Sequence, residues 1–139
     1  MAGHVQNNPR RESYLKNEFM EMWIEDGIIH GVYLPNTVVT LEVAKKCVED
    51  RLKIANGRYY PSLVNLKNVA GEEKAARDYY SSGEGIRYVI AGAFIVDSYL
   101  PALLANIYLK INKPKVPARL FNYEESALKW LEPFKNQMN

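Results

Sequence analysis

Two hydrophobic periods alternate along the chain, and their order predicts its elements. From Phe19 to Glu25 (FMEMWIE) the period is two, which sets Met20, Met22 and Ile24 on one face. Asp26-Gly27, a hairpin-turn pair, follows, and Ile28–Leu34 (IIHGVYL) returns as a second strand. After PNTVV the period lengthens. Thr40 is placed to cap a helix running to about Asn56, with Leu41, Ala44, Val48, Leu52 and Ala55 at helical spacing and Gly57 as its stop. Ser62–Asn68 reads as a third strand. Gly71–Ser82 reads as a helix with Glu72 and Glu73 in its first turn and Gly83 past its end. Val116–Phe121 is a fifth strand, which Pro117 assigns to an edge. Asn122 then caps a last helix, Glu125 standing at capping-box distance and Tyr123, Ala127, Trp130, Leu131 and Phe134 forming its apolar face.

The most apolar stretch, Ala91 to Pro114, raises the question of a membrane span. A spanning helix needs about 20 apolar residues in a row, and Asp97-Ser98 breaks this one. An isolated Asp at the centre of a span costs roughly 2.5–3.5 kcal/mol. Strand–turn–helix carries no such cost: Tyr88–Val96 suits a strand buried on both faces. Ser98 then caps a helix with Pro101 in its first turn and Lys110 near its end, closed by Asn112-Lys113-Pro114. The expected order is β-β-α-β-α-β-α-β-α, a hairpin followed by alternating units. This is an α/β single domain with a mixed, largely parallel sheet of about five strands and about four helices.

Composition changes this picture little. The length, 139 residues, fits one domain, expected over 14–139 after a flexible arm at 1–13 that includes Arg10 and Arg11. A net charge of +2 is too balanced to point to nucleic acid. The N-terminus lacks the apolar run of a secretory signal, and one cysteine, Cys47, excludes an internal disulfide; both fit a cytoplasmic protein.

Candidate chemistry is sparse. His4 is in the arm, and His30 is in a strand in phase with Ile28 and Val32, without a nucleophile in view. Two histidines and one cysteine without close spacing do not make a metal site. The acid pairs Glu72–Glu73 and Glu124–Glu125 point about 100° apart on a helix and read as dipole partners, not as acid–base pairs. Ser81-Ser82-Gly83-Glu84-Gly85 lacks the lysine of a phosphate loop and follows a helix instead of preceding one. No catalytic residue, metal or cofactor is therefore assigned. Ligands of open α/β sheets sit beyond the carboxyl ends of the strands. Those ends offer Asn65, Lys67, Asn68, Asp97 and Ser98, with Tyr79 and Tyr99 beside them as pocket walls; Tyr80 is a further neighbour. Ten tyrosines suit a contact surface.

The hairpin FMEMWIEDGIIHGVYLPN, the ending LKINKPKVPARLFNYEESALKWL and the element order resemble the small STAS-like (SpoIIAA-like) domains, and more closely an uncharacterised bacterial branch of that group. The similarity spans about residues 17–135 and lies in patterns of fold. It implies a non-catalytic module that recognises a protein partner or a small apolar, lipid-like ligand, with no membrane span. A small enzyme using Asp97 with Lys67 is the contrasting expectation. The antagonist proteins of the group carry a phosphorylatable Ser after the third strand. Here NLKNVAGEEKAA has no Ser or Thr between Asn65 and Ala76, so no phosphorylation is expected there. A homodimer is expected through the hairpin, on the reading that Phe19, Trp23 and Tyr33 form an exposed aromatic face opposite Met22 and Ile24.

Overall fold

The computed structural model describes residues 10–97 and 114–135; the helix expected after Ser98 lies outside them. The described chain runs β1 (Glu12–Lys16), β2 (Met20–Glu25), β3 (Ile28–Tyr33), β4 (Thr37–Val39), α1 (Leu41–Ala55), β5 (Tyr60–Asn65) and β6 (Val69–Glu72). It continues with α2 (Lys74–Tyr80), a 3-10 turn (Gly83–Ile86), β7 (Val89–Ile95), β8 (Ala118–Phe121), α3 (Glu124–Leu131) and a closing 3-10 turn (Glu132–Phe134).

Six strands form the main sheet in the order β1-β2-β3-β5-β7-β8. The β1–β2 and β2–β3 pairs are antiparallel and the other three pairs are parallel, the mixed, largely parallel sheet that alternation implied. The hairpin turns on Asp26 and Gly27, both at positive φ (52° and 74°), the two-residue turn whose twist matches its strands. Lys135 donates to Asp26 Oδ2 at 2.7 Å and ties the end of the described chain to that turn.

Each face of the sheet has its own core, because side chains of a strand alternate. Met20, Met22, Ile24, Ile29 and Tyr33 lie on the first face under Val43, Ala44, Cys47 and Ile54 of α1. Ile28, Leu63, Ala91, Ala93, Ile95 and Phe121 lie on the second, under Ala127 and Leu131 of α3. Ile95 and Leu131 retain almost no exposed surface, and burial of such a side chain contributes roughly 1.5–3 kcal/mol. Thr40 caps α1 as expected, its Oγ1 accepting from Val43 N at 3.2 Å, and Asn56 closes it in the left-handed region.

Several expectations are corrected. The arm does not run to Ser13: β1 begins at Glu12 and pairs with β2, so β1, and not the hairpin, forms one edge of the sheet. Its sequence ESYLK hides the strand because an edge strand buries little; Tyr14 and Leu15 are only half-buried. The buried stripe of α1 includes Val43, Cys47 and Ile54, with Leu41 and Leu52 left at its margin. Residues Val69–Glu72 form a strand parallel to β4, a second sheet of two strands, where a helix was expected from Gly71. Glu72 is thus a strand residue, and Glu73 is the N-cap of α2. The Glu73 carboxylate serves a different helix, accepting from Leu41 N at 3.0 Å at the start of α1. The cap of α3 is Tyr123, without a side-chain bond. Asn122 instead donates through Nδ2 to the backbone oxygen of Asp97 at 2.9 Å. Finally, β8 begins at Ala118 and is the opposite edge of the sheet, as Pro117 implied.

Candidate functional site

A row of small residues crosses the first face of the sheet. Ser62 of β5 pairs with Gly92 of β7, which pairs with Ala118 of β8. Gly31 of β3 pairs with Val64 on the same face. The Phe94 ring folds back over Gly92, so that a Cβ there would meet it at 3.1 Å. Glycine inside a strand marks a place where something approaches the backbone closely. Below α1 and the Gly83–Ile86 turn this floor leaves a cavity of about 300 Å³, at the lower end of the range of ligand pockets. Its walls are almost wholly apolar and include Met20, Met22, Val64, Ile86 and Phe94.

The polar groups at its wall come from α1, β3 and α2. The hydroxyls of Tyr33 and Tyr80 lie 2.6 Å apart. Burial raises the pKa of both, so they stay protonated. Burial also pushes the Cys47 thiol up to about 11, which removes it as a nucleophile at neutral pH. Beside it, Asn17 Nδ2 donates to Asp50 Oδ2 at 2.8 Å; Asp50 is 2% exposed, with Lys46 and Lys53 each 3.5 Å from its Oδ1. Arg51, one turn on from Cys47, spans to the 3-10 turn. Its Nη1 donates to Arg87 O at 2.9 Å and its Nη2 to Glu84 O and Gly85 O, each at 3.3 Å.

The residues proposed from sequence are only partly gathered. Asn65 Oδ1 accepts from Lys67 N at 2.9 Å, an Asx turn, and Asn68 Nδ2 donates to Tyr33 O at 2.9 Å. Both Asn side chains are thereby spent on holding the loop after β5, and Lys67 and Asp97 are exposed. Tyr79 packs half-buried against the first core. Ser98 and Tyr99 lie outside the described residues. Of the described ones, Asn65, Lys67, Asn68, Asp97 and Tyr79 do not line the cavity, whereas the neighbouring Tyr80 does. Sequence reasoning missed Arg51, although there was a signal. It stands four residues from both Cys47 and Ala55, a charge in phase with a buried stripe.

A second cleft, of about 290 Å³, opens on the other face beside α3. Here Arg11, just before β1, stacks with Trp23 of β2 and His30 of β3. The Arg11 guanidinium carbon is 3.9 Å from the Trp23 ring centre, and the His30 ring stacks on Trp23 at 5.3 Å and 8°. Trp23 Nε1 donates to Glu25 Oε1 at 3.1 Å, and that oxygen is 3.8 Å from Arg11 Nε. Trp23 and Tyr33 are buried, and Tyr33 shares the face of Met20 and Met22. The exposed aromatic face on which the expected homodimer rested is therefore not present.

Burial lowers the pKa of His30 below its ordinary 6.5, against the opposing pull of Glu25 and Glu124. The unfolded chain then binds the proton more tightly than the folded one. His30 contributes stability that is complete above pH 6.5 and is lost as pH falls through its depressed folded value. Thermal unfolding between pH 8 and pH 5 should show Tm falling on the acid side, in a step that His30→Gln removes. An unchanged profile in the variant would assign the step to another group.

Among the described residues no helix is long and apolar enough to cross a membrane, and no three His, Cys, Asp or Glu side chains cluster to hold a metal ion. No curated protein matches the sequence. Among solved structures, the fold resembles an uncharacterized protein from the DUF3478 family with a SpoIIAA-like fold, from Shewanella loihica PV-4. The TM-score is 0.56 and the identity 12%, over 84% of this chain and 98% of that one. The STAS-like resemblance of the sequence thus holds at the level of fold. The sequence model of the family described as Domain of unknown function (DUF7793) matches residues 22–135. With that match extending over most of its length, the chain belongs to the DUF7793 family and is built on a SpoIIAA-like fold.

Proposed function

We propose that this STAS-like domain is a non-catalytic binding module whose ligand is a small apolar molecule held in the cavity on the first face of the sheet. The observation that carries the reading is the cavity itself. Core faces of sheets are normally filled to close packing, and among the described residues Ser62, Gly92 and Ala118 lie along a cavity of about 300 Å³ that Phe94, Val64 and Met22 also line. Its tyrosine hydroxyls bond each other, and its thiol is protonated. These groups suit recognition of a bound molecule and supply neither a base nor a nucleophile.

Native mass spectrometry of the purified chain tests this. The expected result is a retained small apolar molecule, or saturable uptake of one added at micromolar concentration. Val64→Phe, which adds volume at the floor, should abolish uptake and leave the thermal transition within a few degrees. Undiminished uptake by a folded Val64→Phe would move the ligand elsewhere.

A further inference from the structure

Arg51 stands at the wall of this cavity without an ion pair among the described residues. Three carbonyl oxygens hold its guanidinium, and they use three of its five N–H groups. No carboxylate of the described residues forms an ion pair with it. Glu84 accepts from Arg51 through its backbone oxygen, while its carboxylate lies 3.4 Å from Arg87 and acts on Arg51 only through its charge. Burial pulls the Arg51 pKa down to about 10, against the opposing pull of Tyr80, Glu84 and Tyr79. A half-buried cation outside any ion pair is stabilised by an anion that completes its hydrogen bonding.

The other charges at the cavity wall are Glu72, Arg77 and Lys115. Arg77 is balanced by Glu72 at 3.5 Å, whereas Lys115 at the rim has no ion-pair partner among the described residues. Apart from the Glu72–Arg77 pair, the space is mostly apolar, with Arg51 at its wall and the exposed Lys115 beside it, neither in an ion pair among the described residues. A neutral hydrocarbon would leave them as they are; an anionic group on the same chain would meet them.

We propose that the ligand is a single-chain amphiphile bearing one carboxylate, with its chain on the Ser62–Gly92–Ala118 trough and its head group on the free N–H groups of Arg51. This rests on the cavity being the binding site. A planar guanidinium is matched to a carboxylate, and charge-assisted bonds of this kind are about twice as strong as neutral ones.

Calorimetric titration of the full chain with octanoate, octanol and octylamine tests the proposal, the probes sharing one tail and differing in the head. Octanoate should bind at least about tenfold tighter than octanol, and octylamine should bind most weakly. Equal binding of octanoate and octanol would overturn the anionic head and leave the apolar cavity standing. Binding of none of the three would remove the cavity reading and this inference with it. Arg51→Gln, confirmed as folded by its thermal transition, should bring octanoate to the affinity of octanol without changing octanol. A preference retained in that variant would take the role from Arg51. If that variant does not fold, the comparison of the three probes on the unaltered chain decides alone.

Discussion

Gly85→Ala should be the most damaging single-methyl change in the described chain. A Cβ at this position would overlap Tyr79 O and lie within 2.8 Å of Tyr79 C and Tyr80 Cα. These are backbone atoms, so no rotamer change relieves the overlap, and the Gly83–Ile86 turn must move off the end of α2. Overpacking costs about 1–3 kcal/mol when side chains can yield, and here the loss should exceed about 3 kcal/mol, in the exceptional class. The damage reaches function because Gly85 O is an acceptor for Arg51 and Gly85 itself is a wall of the cavity. Urea unfolding provides the measurement: a large fall in midpoint is expected for Gly85→Ala. Gly83→Ala, where nothing lies within 4 Å and only the positive φ of 55° is strained, should lose about 1–2 kcal/mol. Equal effects at the two positions would show that the turn yields.

Trp23→Ala should cost about 3–5 kcal/mol, the range for removing a buried aromatic side chain. The ring is 6% exposed, with Arg11 against it from the β1 side and His30 from the β3 side. Its loss leaves Arg11 without a surface to lie on and removes the indole donor from Glu25 Oε1, which keeps only Arg11. The first strand should therefore loosen before the rest of the sheet. Hydrogen exchange is expected to show Glu12–Lys16 losing protection more than β5 or β7. Trp23→Lys should likewise destabilise the fold instead of merely dissociating an assembly. A folded, fully stable Trp23→Lys protein would show that the ring lies outside the core.

Legibility along the chain followed the strength of the local signal. The hairpin was readable because Asp26-Gly27 names its own turn and Met20, Met22 and Ile24 alternate strictly. α1 was readable because Thr40 and Asn56 mark its ends chemically. β1 was not, since it is a short edge strand that buries little, and the β4–β6 pair was not, since each of its strands is short and pairs with a partner distant in sequence. Thr37 finds Val69 across the whole of α1 and β5. Asn122 read as a cap and became a strap, because Asp97 O came within 2.9 Å of it, a fact of folding invisible to spacing.

The candidate site divides in the same way. Strand-end polar residues such as Asn65 and Asn68 could be placed at the carboxyl ends of the sheet from element order alone, but the bonds that occupy them could not. The sequence by itself determined the alternation of periods, the α/β class and the parallel character of the sheet, because these depend on local periodicity and on short connections. Only the tertiary structure decided that Ser62, Gly92 and Ala118 stand in one row and that Arg51 reaches three carbonyls of a distant turn. A cavity is the space left between elements, and it exists only once long-range register has brought small side chains side by side.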